Sequence, residues 1–202
     1  MKTSTAARFP TRLRGAGDYT SRMVGGKVAV FGVPSAAGGR ASGVSQAPWR
    51  LREAGLLEAL RATGATVVNL SDLSLFPYVD DPAHPQARNA GVVACAVRAA
   101  ADEMTRAHAE GFTVLLGGDC SLVAGPVAGA RRHFGEPVGL IFLDADADLN
   151  TPATTPSGFL HGMALATALG RGPQEVVEAM GASPYLDPEH VSLVGFRALD
   201  PG

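Results

Sequence analysis

Five short, nearly unbroken apolar runs at 27–33, 65–70, 112–116, 138–143 and 191–195 alternate with longer stretches of helical spacing, and this alternation constrains the fold most. A strand made of continuous apolar residues must be buried on both faces, which requires helices above and below the sheet. The pattern therefore predicts parallel strands joined by helices, a doubly wound α/β arrangement. The helices are expected at 47–62, 86–110, 121–134 and 172–180, with Pro48 suited to a helix start and the second stretch rich in alanine. Segment 71–85 gathers Pro77, Pro82 and Pro85 and reads as a surface loop. No internal repeat is present.

Composition narrows the function classes. Of 202 residues, 46% are apolar, enough for a buried core. The 17 basic and 19 acidic residues leave a formal charge of −2, so no general attraction to nucleic acid is expected. Cys95 and Cys120 form no CxxC pair, which argues against a disulfide or zinc-finger framework and fits a reducing cytoplasm. No apolar run approaches the roughly eighteen residues a membrane helix needs, so no membrane partner is expected. Residues 1–26 scatter Arg8, Arg12, Arg14 and Arg22 among small polar residues without an apolar segment. They read as a disordered leader preceding one α/β domain over 27–202.

Ligands of open α/β sheets bind beyond the carboxyl ends of the strands. Three unusual segments occupy such places: a Gly-rich loop after Gly32-Val33-Pro34, the sequence Gly117-Gly118-Asp119-Cys120-Ser121, and 144–162. In the last, a buried strand runs into Asp144, Asp146 and Asp148. Spacing of two puts all three on one side if the chain stays extended, where they repel unless a cation sits among them. The alternative is three aspartates splayed in water. Oxygen ligands favour Mn²⁺, Mg²⁺ or Ca²⁺, whereas a thiolate from Cys120 biases the site toward Zn²⁺. Cys120 precedes an expected helix, whose N-terminus would lower a thiol pKa, so a nucleophilic cysteine is a second possibility. Cys95 reads as a small buried hydrophobe. His161 stands out among five histidines because it follows the acidic cluster in a Gly-flanked loop. Neither GxGxxG nor GxxxxGK[ST] follows any strand, so no nucleotide cofactor is expected.

Taken together, these segments resemble the ureohydrolase family, and within it the arginases more than the agmatinases. Gly32-Val33-Pro34, Gly43-Val44, Pro48, Leu51-Arg52 and 54–57 are similar to the amino-terminal arginase block. Gly117-Gly118-Asp119-Cys120-Ser121 resembles Gly-Gly-Asp-His-Ser, and Asp144-Ala145-Asp146-Ala147-Asp148 resembles Asp-Ala-His-x-Asp. The stretch from Asn150 to Gly162 is similar to the arginase substrate loop, and Gly195-Phe196-Arg197 with Asp200 to a later block.

The resemblance implies a three-layer, mainly parallel α/β fold, incomplete at the carboxyl end, and a metal-dependent amidinohydrolase acting on L-arginine or a related guanidino acid. It implies two divalent ions, Mn²⁺ by family, held by Cys120, Asp144, Asp146 and Asp148, with cysteine and aspartate standing at 120 and 146 where the family has histidine. His161 is the implied proton shuttle. Asn150, Thr155 and Ser157 match residues that bind an α-carboxylate, and Asp200 one that contacts the α-amino group. Phe159 replaces a polar residue, pointing toward a related guanidino or hydroxyguanidino acid. A homo-oligomer, trimer or hexamer, is also implied. The family's later Asp-x-Asp ligands have no counterpart before Gly202, so the 202-residue form is expected to show little turnover. The altered ligands leave a second reading open, an inactive ureohydrolase-like binding or subunit-interaction protein.

Overall fold

The computed structural model describes residues 26–135, 137–181 and 183–199. Among them are strands β1 (Lys27–Gly32), β2 (Thr66–Asn69), β3 (Phe112–Leu116), β4 (Leu140–Leu143) and β5 (Val191–Val194). The helices are α1 (Ala47–Glu53), α2 (Leu56–Ala62), α3 (Ala90–Ala107), α4 (Ala124–Phe134), α5 (Ala164–Ala168) and α6 (Gln174–Glu178). Every strand pairing is parallel. The expected helix at 47–62 is two helices broken at Gly55, and short 3₁₀ turns at Cys120–Val123 and Leu160–Met163 precede α4 and α5. The expected leader lies outside the described residues except for Gly26. No described helix is long and apolar enough to cross a membrane.

Strand alternation builds the layers around β1. Ala29 and Phe31 face α3, packing with Ala96, Ala100, Met104 and Ala107. Val28 and Val30 face the other way, against Leu57 of α2 and Leu116 of β3. Both faces of this sheet are thus covered, as continuous apolar strands demand. A second row on α3, Val93, Val97 and Ala101, packs with Ala124, Val127 and Ala128 of α4 and Phe142 of β4. The two helices approach closely because α4 carries glycine at the contact: a Cβ on Gly125 would lie 2.7 Å from the Val97 carbonyl oxygen, and one on Gly129 2.5 Å from that of Ala101. Cys95, expected inside, is exposed, since the buried positions 93, 94, 96 and 97 turn it outward.

The expected single five-stranded sheet is instead two sheets, one ordered β2-β1-β3 and the other β4-β5. Apolar runs record burial but not which strand edge meets which, and the edges flanking α4 do not pair. One face of β4 is consequently open: Phe142 points into the core, while Ile141 and Leu143 are each 77% exposed. Exposed apolar strands template association. Ile141→Lys is therefore expected to lower concentration-dependent light scattering while changing unfolding free energy by less than about 0.5 kcal/mol, as surface substitutions do. Equal scattering by the two proteins would show that β4 does not drive association.

Candidate active site

Backbone hydrogen bonds draw the loops after β1, β3 and β4 together. Asp119 N–H donates to the Ser35 carbonyl (3.2 Å), and His161 N–H donates to that of Gly38 (2.9 Å). The Asp119 carboxylate reinforces the junction, accepting from Ser121 N–H at 3.0 Å and from Gly38 N–H and the Ser35 hydroxyl at 3.3 Å each. Asp119 is a positioning residue that sequence reasoning passed over, although its place between a Gly-Gly turn and a helix start marks it as a cap.

Beyond these junctions lies a cavity of about 320 Å³, whose lining includes Arg40, Asp146, Asp148, Asn150, Thr155, Ser157 and His161. Most of the residues singled out in the sequence are therefore brought to one place. Asp200 lies outside the described residues. Arg40, also passed over, is the one charged residue in the Gly-rich segment 34–46, and that isolation was its signal.

The three aspartates do not share one face. Strand β4 ends at Leu143, and the chain then turns until Asp148 adopts a φ of +49°. A positive φ is uncommon outside glycine and least rare for Asp and Asn. It is held here because the Asp148 carbonyl accepts the N–H groups of Leu165 and Ala166 at the start of α5, both at 3.1 Å. Asp148 is buried, Asp146 exposed and Asp144 half-buried. Asp144 accepts Asp146 N–H through its own carboxylate at 3.1 Å.

Cys120 is not among the cavity lining but is tied to it, its thiol donating to the His161 carbonyl at 3.3 Å. Burial first, then the charge and hydrogen bond of Asp148, then Asp119 and Asp144, push its pKa far above the ordinary thiol range. The expected thiolate is thus reversed. A helix N-terminus is worth at most about 1 kcal/mol near a surface, too little to offset desolvation and several carboxylates. A thiol held protonated in this way is a poor nucleophile.

Among the described residues no three His, Cys, Asp or Glu side chains come together as a group that could hold a metal ion. Asp144 and Asp148 nonetheless lie close enough to Cys120 to act on its thiol.

His161 is half-buried, and its pKa is lowered, by burial first and by the Arg40 charge second, against the opposing pull of Asp119, Asp146 and Asp144. Its imidazole is held toward the neutral form, able to accept a proton. Also in the lining, Thr155 Oγ1 accepts the N–H groups of Ser157 (3.3 Å) and Gly158 (2.9 Å), and Ser157 Oγ accepts that of Phe159 (3.4 Å). Hydroxyls fixed as acceptors in this way keep their own protons for donation. Buried Asn150 accepts the Thr154 hydroxyl at 3.1 Å through its side-chain oxygen.

Comparison with known proteins identifies the family. The Arginase family model matches residues 26–202. The arginase of Bacillus caldovelox is 36% identical over 180 residues, covering 87% of this chain and 59% of the relative. Human mitochondrial arginase-2 is 35% identical over 179 residues, covering 86% and 50%. The solved arginase of Bacillus cereus superposes with a TM-score of 0.77 at 35% identity, covering 87% of this chain and 58% of that one. The chain thus spans between half and three fifths of the length of these relatives. With most of its length matched by the family model and its fold shared with a solved arginase, the chain belongs to the arginase family.

Proposed function

We propose that this chain carries the amino-acid end and the proton-transfer residue of an amidinohydrolase site that takes L-arginine or a close guanidino acid and releases urea and an ornithine-type amine. The observation that carries this reading is the two-ended chemistry of one cavity, with carboxylates Asp146 and Asp148 beside the hydrogen-bonding set Asn150, Thr155 and Ser157. A guanidinium is permanently charged and planar, and carboxylates bind it through charge-assisted hydrogen bonds. A free α-carboxylate needs donors, which the two hydroxyls supply. Agmatine, which lacks that carboxylate, would leave these donors unmatched, a loss polar sites penalise heavily. His161, held toward its neutral form, accepts a proton from the water that attacks the guanidinium carbon and returns it to the amine as the C–N bond breaks.

Family resemblance brings two manganese ions to such a site in relatives. The reading here rests on recognition and proton transfer alone. Binding is accordingly the decisive measurement. Calorimetric titration of the purified chain is expected to show L-arginine binding, weakened about tenfold or more by Asp148→Asn, the size of losing a hydrogen bond to a charged group. An Asp148→Asn protein that binds L-arginine as tightly as wild type, or a wild-type chain that binds no guanidino acid, would refute the reading.

A further inference from the structure

At the amino end of β3, away from the cavity at the carboxyl ends of the strands, helices α3 and α4 bring two imidazoles together. His108 directly follows α3, and His133 stands in the last turn of α4. Their ring centres are 5.4 Å apart, with the planes inclined at 32°. Phe134 packs on both, 5.0 Å from His108 and, edge-on, 4.9 Å from His133. None of the three lines the cavity. The spacing suits a shared ion: a metal bound to nitrogen at about 2.1 Å lies about 3.2 Å from the ring centre, so two imidazoles on one tetrahedral ion have centres about 5 Å apart.

His108 is also set in a ligating tautomer. The Thr113 hydroxyl donates its one proton to the Gly111 carbonyl at 3.4 Å and meets His108 Nδ1 at 3.3 Å. A hydroxyl whose proton is committed accepts, which assigns the imidazole proton to Nδ1 and the lone pair to Nε2. Metal-ligating histidines are oriented in this way, by a hydrogen bond at their other nitrogen. Burial first, and the nearby His133 second, hold the His108 pKa below the ordinary histidine value, so its ring is neutral at pH 7. Both helices end here, and the partial negative charge of a helix carboxyl end favours a cation. The arginines of the same turn are directed elsewhere, Arg131 to the Pro184 carbonyl and Arg132 to the Asp102 carboxylate and the Met180 carbonyl.

We infer that His108 and His133 form a two-imidazole site for a divalent ion of the Zn²⁺, Ni²⁺ and Cu²⁺ class, which ties together the carboxyl ends of α3 and α4. Water completes the coordination. Imidazole suits these ions, whereas Mn²⁺ prefers oxygen and stands at the weak end of the affinity order for divalent metals. The site is separate from the cavity and from Cys120.

Three packed rings would account for the cluster without an ion, so the test keeps the packing and removes the ligand. Zn²⁺ and, separately, Mn²⁺ are titrated calorimetrically into the chelator-treated 202-residue chain and its variants. His133→Phe, which retains an aromatic ring, is expected to lose one equivalent of Zn²⁺ that wild type binds, and His133→Gln, which carries no ring, to lose the same equivalent. Thr113→Val should weaken that equivalent about tenfold, as removal of a supporting hydrogen bond does. His190→Gln, a change at a histidine outside the cluster, should leave it intact, and Mn²⁺ binding should be the same in every protein. Zn²⁺ should raise the thermal unfolding midpoint of wild type more than that of His133→Phe, because the ion binds the folded pair. Equal Zn²⁺ stoichiometry and affinity in wild type and His133→Phe, or a folded wild type that takes up no Zn²⁺, overturns the site. Unchanged Zn²⁺ affinity in Thr113→Val overturns the part given to Thr113.

Discussion

Gly118→Ala is expected to lose at least about 3 kcal/mol of stability, at the upper end of what overpacking costs, and to lose the binding cavity with it. A Cβ at this position would lie 1.7 Å from the carbonyl oxygen of Ser35, 2.7 Å from its carbonyl carbon and 2.9 Å from its nitrogen. All three are backbone atoms, so no rotamer change relieves the clash. Ser35 sits at the junction of the site loops, where Val33 N–H donates to the Leu116 carbonyl at 2.8 Å and Asp119 N–H to the Ser35 carbonyl at 3.2 Å. Pushing the strands apart here also breaks the Asp119 contacts to Gly38 and Ser35. The control is Gly43→Ala, which meets nothing within 4 Å and should shift stability by less than about 0.5 kcal/mol. Urea unfolding of the three proteins decides the matter. A Gly118→Ala midpoint close to that of Gly43→Ala would mean that the loops are not locked together as described.

Much of the architecture was legible because its cause is local. The strand at 112–116 appears with those bounds, and the others lie within the expected runs, because apolar, β-branched stretches bounded by turn residues have few alternatives. Helix α3 was equally plain from its alanines, although it begins at Ala90 because Asn89 takes a left-handed φ of 59° and is tied to Val79 and Asp81. The grouping of strands into sheets was not legible. Edge pairing depends on where helices α3 and α4 hold each strand, and no run of residues encodes that distance.

The site divides along the same line. That 144–162 would meet the loop after β1 followed from the rule that strand ends carry function, and the cavity contains Asp146, Asp148, Asn150, Thr155, Ser157 and His161 together. The relative placement of the aspartates did not follow, because period-two alternation holds only while the chain is extended and Asp148 leaves that conformation to cap α5. The protonation of Cys120 was hidden for another reason. A sequence shows the helix that follows a thiol but not the carboxylates that fold in around it from another loop.

Those carboxylates give the second large effect, a loss of stability in alkali that depends on Cys120. An unperturbed thiol titrates at about 8.5, and Cys120 is raised well above this by burial and by Asp148, Asp119 and Asp144. Below that pH both the folded and unfolded chains hold the proton, and the group contributes no pH dependence. Above it the unfolded chain releases the proton while the folded chain keeps it, so the folded state binds more protons. Stability must then fall as pH rises, by up to about 1.4 kcal/mol per pH unit. Other groups titrate in the same range, so the measurement is the difference between wild type and Cys120→Ala, each unfolded by urea from neutral pH to strong alkali. The difference should be constant below the thiol range and should grow above it, with the wild type losing ground. Iodoacetamide should meanwhile modify exposed Cys95 in the native chain faster than half-buried Cys120, whose thiol is held protonated. A pH-independent difference, or equal labelling rates of both cysteines in the folded protein, would place the Cys120 thiol in water rather than among the carboxylates.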